Sequence, residues 1–352
     1  MFNKIKIRVD KELGYFARNI EKAYSLNKLS SLLVKNITDF ITREGKRVRP
    51  ILFIAGYLGF AKNEAHGLYK SALSIELLHD FLLIHDDIID KSDTRRGKPS
   101  FHKIMDDYLK KQKNKKFSGT DLSIVAGDII YAMAVDVFLS INETPERKEK
   151  ALKKFAETAI YTGGGEFIEL LIGLKDIKDI SITDIYKIYG FKTAYYTFAS
   201  PLSIGAILAG APQKEVDIIS EYGSYLGNAF QIKDDLLGIF GEESQTGKSG
   251  LIDLKEAKKT ILIWYAWKHS PEKIRRQINR ILTKENIRRA DLLTMRRIII
   301  SSGAYDFAKK EIFRLLNKSL ILINRSKMRP RYKKSLADYA KKILNLQHQV
   351  QK

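Results

Sequence analysis

The chain has 352 residues, no cysteine and a formal net charge of +21. That length is enough for a large core in one or two domains, and the missing cysteine excludes a disulfide framework and thiolate metal sites while suiting a reducing cytoplasm. The basic excess favours polyanionic partners such as nucleic acid, anionic lipid or phosphorylated substrates. No nucleic-acid motif accompanies it, and much of it sits in KKQKNKK (110–116) and RSKMRPRYKK (325–334), where it reads as solvated surface.

The opening MFNKIKIRVDKELGYF lacks an apolar core of signal-peptide length. No apolar run reaches the ~18 residues of a membrane span: tract 124–139 is interrupted by Asp128 and Asp136, and tract 198–211 by Pro201. Strand signals are scarce, so the chain reads as all-α. Residues 10–42 carry helical periodicity. In EGKRVRP, Gly45 permits a turn and Pro50 suits a helix start, placing Lys46, Arg47 and Arg49 at a helix N-terminus, where free N–H groups favour an anion. A helix is expected from Ile51 to Phe60, and a long one from Glu64 to Lys91.

That long helix ends in HDFLLIHDDIIDKSDTRRGKP (79–99). Asp86 and Asp90 share a helix face and Asp87 lies about 100° round from them. Leu77, Leu78, Phe81, Leu82, Leu83 and Ile84 make the helix apolar nearly all round, which predicts burial. Acids crowded at a buried helix end need a cation between them, and oxygen ligands suit Mg2+, which brings phosphate with it. Arg95 and Arg96 offer the planar fork that grips phosphate oxygens. The stretch therefore reads as a metal-bridged phosphate held beside an apolar wall.

After a loop at 92–103, a further helical piece and the lysine-rich loop, SIVAGDIIYAMAVDVFL reads as a buried helix with Asp128 in a structural role. A loop is expected at 141–149 and a helix from Lys150 to Leu174. Gly163–Gly165, followed by Glu166 and Glu169, would destabilise that helix by roughly 1 kcal/mol per glycine relative to alanine, so either something approaches closely or the helix bends. Tyr186–Gly210 reads as helix with Lys192 and Thr193 at its middle; a lysine pointing inward there needs an anion. The helix Tyr222–Ile239 carries Gln231 one turn before Asp234 and Asp235, and a glycine-rich loop follows with Lys248, Asp253 and Lys258. Helix, paired aspartates and basic loop thus occur twice, and two facing acidic ends would cage several Mg2+ ions. Residues 261–352 are helical and basic, with no interpretable motif.

Taken in order, GKRVRP, IELLHDFLLIHDDIID, TRRGKP, AGDII, KTA (192–194), QIKDD and GKSGLIDLKEAKKT resemble the trans-isoprenyl diphosphate synthases, or polyprenyl synthetases, over about residues 40–262. The resemblance implies a single all-α domain over 1–352 with the isoprenyl synthase fold, antiparallel helices around a central active-site cavity. It implies a cytoplasmic homodimer using about three Mg2+ ions. Asp86, Asp87, Asp90, Asp234 and Asp235 would then hold metal. Arg95, Lys192, Lys248 and Lys258 fall where the family contacts the allylic diphosphate. Lys46, Arg49, His79 and Arg96 fall where it binds isopentenyl diphosphate, and Thr193 and Gln231 match positions lining the reacting centre. His85 reads as a packing residue or an indirect contact, not a base.

The chain departs from the family pattern at four places. Gly238 stands where many members have a third aspartate, Glu166 where glutamine is expected, Asp80 where a small residue follows the histidine, and Leu251–Ile252 where the loop is often polar. Phe81, about 7.5 Å down the helix from Asp86, would close a product tunnel, with the smaller Leu82 and Leu78 beside it. An aromatic at this position resembles archaeal-type geranylgeranyl synthases, implying a twenty-carbon product from dimethylallyl, geranyl or farnesyl diphosphate. The alternatives are a farnesyl or longer product, or a non-catalytic regulatory subunit. A terpene cyclase is disfavoured by GKRVRP and by the lack of an N-S-E-like motif. Peripheral contact with anionic membrane is compatible with the basic excess.

Overall fold

A computed structural model describes residues 1–113, 116–241, 254 and 258–345. Among these the fold is all-α apart from one two-stranded hairpin, and no described helix is long and apolar enough to cross a membrane. The chain forms two compact units: Met1–Phe155 with Ile204–Ala211, and Ala156–Ser203 with Pro212–Lys352.

The first unit contains α1 (Phe2–Tyr24), α2 (Ser31–Thr42), α3 (Val48–Phe60), α4 (Leu68–Ile89), β1 (Thr94–Arg95), β2 (Lys98–Pro99), α5 (Phe101–Leu109), α6 (Gly119–Phe138) and the start of α7 (Pro145–Gly173). α4 packs chiefly on α6 and is buried over most of its length, as its apolar composition requires. It begins at Leu68, later than the expected Glu64, because Gly67 caps it at φ 81, in a spot where a Cβ would lie 2.0 Å from the carbonyl oxygen of Ser140. Ser118 and Asp121 form a capping box at the start of α6. Gly127 on α6 makes room for α4, since a Cβ there would meet Cε1 of His85 at 2.5 Å. α7 starts at Pro145, inside the expected loop 141–149: proline fits the first helical position because its missing N–H would have no partner there.

The second unit contains the rest of α7, α8 (Ile182–Ile188), a π-helix (Tyr189–Ala199), the first part of α9 (Ser200–Leu208), α10 (Gln213–Phe240), α11 (Ile261–Lys268), α12 (Glu272–Leu282), α13 (Arg289–Ser301), α14 (Ala304–Arg325) and α15 (Pro330–Ile343). α10 packs along α14 and the π-helix. The expected plain helix Tyr186–Gly210 is therefore three segments, its middle wound more widely. The π segment ends at Ala199, two residues before Pro201, which cannot donate to the preceding turn. Gly165 is the close approach anticipated from the glycine run: a Cβ there would lie 2.7 Å from the backbone nitrogen of Lys192, whereas Gly163 and Gly164 face open space. Gly227 on α10 likewise admits Ala194, with a Cβ at 2.3 Å from its Cα.

Candidate active site

In the first unit the acidic end of α4 is organised by the hairpin after it. Arg96 (φ 54) and Gly97 (φ 73) are the two turn residues between Arg95 and Lys98, the left-handed pair that a tight two-residue turn requires. Arginine in that conformation is strained and is held by its surroundings. Arg43, buried at the end of α2, donates to the carbonyls of Arg95 (3.2 Å) and Pro99 (2.9 Å) and so pins the hairpin.

The hairpin turns Arg95 onto the aspartates. Its Nε donates to Oδ1 of Asp87 at 2.8 Å, its Nη2 donates to the same oxygen, and Asp86 Oδ2 lies 3.5 Å from that nitrogen. Asp87 is fully buried and its Oδ2 accepts no hydrogen bond. Burial pushes its carboxyl above the ordinary range, against the pull of Arg95. Asp86 and Asp90 remain partly open to solvent.

The basic cluster lies beside this. Arg47 (φ 50) caps α3, with Lys46 before it and Arg49 in the first turn, as the sequence suggested. Arg47 itself is committed: Nη1 donates to Glu76 Oε1 at 2.8 Å and Nε to Asp10 at 3.0 Å. Arg96 reaches back to α4, with Nη2 3.4 Å from Asp80 and 3.9 Å from Glu76. His79 is half-buried among these groups. Desolvation first, then Arg49, Arg96 and Arg95, hold its imidazole well below the ordinary range, so it is neutral at working pH.

Below the aspartates, the Phe81 ring is clamped between His85 (centroids 4.6 Å apart) and Tyr131 of α6 (5.2 Å). Phe155 and Phe138 continue the aromatic layer. Leu78 is fully buried and Leu82 partly so. His85 packs as expected, with Nδ1 3.1 Å from the Phe81 carbonyl and Nε2 3.9 Å from the exposed Asp128.

In the second unit the π-helix presents Lys192 and Thr193. Lys192 does have the anion an inward lysine needs: Glu166 at 2.6 Å, and Glu169 as a second partner. Thr193 donates to Gln231 Oε1 at 2.7 Å, and Gln231 Nε2 donates to Asp235 at 3.0 Å. The Tyr189 hydroxyl also donates to Asp235 while accepting the Ile261 N–H at 2.9 Å. Burial and Asp235 raise the Tyr189 phenol well above its usual value, so it stays a donor. Asp234 is exposed, and Lys258 is partly so. Lys248, Asp253, Leu251 and Ile252 lie outside the described residues. Lys233, inside the same motif, donates to the carbonyls of Ile343 and Asn345 at 2.8 Å each, capping the end of α15.

The sequence reading missed Glu76, Arg43 and Tyr189. The signal for Glu76 was present: a glutamate inside a continuously apolar helix demands a cation, the argument already applied to Asp86.

Among the described residues no three carboxylate or imidazole groups form a ready-made metal cage. Mg2+ does not ask for one. It takes one or two carboxylates and completes its shell with phosphate oxygens and water; accessible carboxylates, Asp86 and Asp90 in the first unit and Asp234 in the second, are donors of that kind.

The polyprenyl synthetase family model matches residues 30–299. The chain is 34% identical to a geranylfarnesyl diphosphate synthase of Aeropyrum pernix over 75% of its length and 78% of the relative's. It is 32% identical to a geranylgeranyl diphosphate synthase of Sulfolobus acidocaldarius, covering 76% and 78%. A geranylgeranyl pyrophosphate synthase from Corynebacterium glutamicum, solved with isoprenyl diphosphate and magnesium, superposes with a TM-score of 0.89 at 27% identity, covering 98% of this chain and 99% of that one. The all-α fold with its two acidic helix ends is that of an isoprenyl synthase. The chain belongs to the polyprenyl synthetase family, in the short-chain isoprenyl diphosphate synthase class of prenyltransferases.

Proposed function

We propose that this protein joins isopentenyl diphosphate head-to-tail to an allylic diphosphate (dimethylallyl, geranyl or farnesyl) and stops at the twenty-carbon geranylgeranyl product. The observation that carries this reading is the construction of α4: accessible aspartates at its end, and the clamped ring of Phe81 five residues earlier.

In the first unit, Asp86 and Asp90 hold metal and Arg95 serves the allylic diphosphate, with Asp87 fixing the arginine. Lys46, Arg49, neutral His79 and Arg96 hold isopentenyl diphosphate. In the second unit, Asp234 holds metal, Lys192 and Lys258 carry charge for the allylic group, and Lys248 joins them by the family pattern. Thr193 and Gln231 lie at the reacting centre, and Asp235 holds Gln231. Mg2+, when bound, draws charge from the leaving diphosphate. The fixed basic residues do the same without reorganising, so the allylic C–O bond ionises. The double bond of isopentenyl diphosphate, held in register, forms the new C–C bond, and the proton then lost passes to the departing diphosphate.

Apolar side chains exposed on α6 (Leu122, Val125) and on α7 (Ile160, Phe167, Leu171) support a homodimer, and the soluble character of the family supports a cytoplasmic setting. Phe81→Ala removes the ring between His85 and Tyr131; the main product should lengthen by one or more five-carbon units, read by mass. An unchanged product removes Phe81 from the role of tunnel floor.

A further inference from the structure

Asp80 sits on α4 between His79 and the apolar run. It is fully buried, neither of its oxygens accepts a hydrogen bond, and its nearest cation is Nη2 of Arg96 at 3.4 Å. Glu76, one turn earlier and 2% exposed, directs Oε1 to Arg47 and leaves Oε2 unbonded. Arg47 is also held by Asp10 of α1, and the Arg43 carbonyl of α2 accepts from both Arg47 (2.7 Å) and Arg96 (3.4 Å). The charge of Arg49 of α3 also acts on Asp80. Two carboxyl groups thus stand behind the arginines, and Asp80 is the one no hydrogen bond fixes.

We propose that Asp80 is a positioning residue that couples the diphosphate affinity of the Arg96 subsite to a proton: neutral, it leaves Arg96 to the incoming anion, and ionised, it draws Arg96 back onto α4. This rests on the reading that Arg96, with Lys46, Arg49 and His79, holds isopentenyl diphosphate.

Burial pushes the Asp80 carboxyl up to about 8; Arg96 opposes this, Glu76 adds to it, and Arg47 and Arg49 oppose it further. Below that pH the group is neutral, so affinity is full, and it weakens as pH rises through about 8. The same shift acts on stability. The folded carboxyl keeps a proton that the unfolded chain releases near ~4, so its contribution is full below ~4 and is lost as pH rises to about 8. Asparagine mimics the neutral form at every pH.

The test is calorimetric binding of isopentenyl diphosphate alone, with no allylic primer, to the full chain and to Asp80→Asn, Asp80→Ser and Arg96→Met, each confirmed folded by melting. If only the neutral form binds, the parent Kd should rise about tenfold more between pH 7 and pH 9 than that of either Asp80 variant. Binding at pH 9 should also take up a proton that the Asp80 variants do not. Parallel pH profiles with equal proton uptake, while Arg96→Met weakens binding, overturn the proposal and spare the subsite. An Arg96→Met protein that binds as the parent does overturns both.

Discussion

The two paired-aspartate motifs can be compared directly, each within its own unit. Both lie in the last turns of a long helix, and in both the first aspartate is accessible while the second is turned into the protein. What holds the second differs. Asp87 is held by the cation Arg95, while Asp235 accepts from the Tyr189 hydroxyl and the Gln231 amide. In the proposed reading a doublet divides its labour: the accessible carboxylate serves a metal, and the buried one fixes the group beside it. The first motif spends its anchor on an arginine, Arg95, proposed to serve the allylic diphosphate; the second spends it on a polar relay to Thr193.

The largest expected effect breaks the exposed member of each pair. Asp86→Ala and Asp234→Ala should each lower turnover by about a hundredfold or more, with only a small change in melting because both carboxylates are solvent-accessible. A matching fall in Tm would return these residues to a structural role. Next is Asp87→Ala, which strands Arg95 beside a buried hole and should cost about 3 kcal/mol of stability, read by denaturant titration; an unaltered midpoint contradicts the anchor assignment. Smaller still is Tyr189→Phe, which removes one buried donor to Asp235 and the acceptor of the Ile261 N–H. It should destabilise by about 1–2 kcal/mol with turnover largely kept. The smallest effect is Glu166→Gln. Relieving Lys192 of one of its two partly exposed carboxylates should lower the KM for the allylic substrate by up to about fivefold, consistent with the weak coupling of such pairs. A raised KM would mean that Glu166 assists the site.

Much of this was legible in the sequence because periodicity and buried charge are strong signals. The acid-tipped α4, the basic start of α3 and the need of Lys192 for an anion all follow from apolar runs interrupted by charge; α6, expected to be buried, is buried on one face only and exposes Leu122, Val125 and Asp128 on the other. The rest depended on partners distant in sequence. Helix spacing puts Asp86 and Asp87 on different faces, but only the hairpin, which brings Arg95 chiefly to Asp87, shows which of them is anchored. The π winding at Tyr189–Ala199 keeps the same apolar composition as an α-helix and so leaves no periodic mark. The start of α7 at Pro145 was hidden by the polar residues of its first turn, which read as loop. Of the glycine run, only Gly165 meets another segment, and sequence could not say which of the three would.

The most direct measurement is turnover of the purified chain with isopentenyl diphosphate, Mg2+ and each short allylic primer in turn, with products sized by mass and a chelator control. Metal-dependent condensation giving one dominant twenty-carbon diphosphate is the predicted result. Folded protein that forms no prenyl product with any primer contradicts the catalytic reading, and makes Glu166 and Gly238, where the chain departs from its family, the first residues to restore.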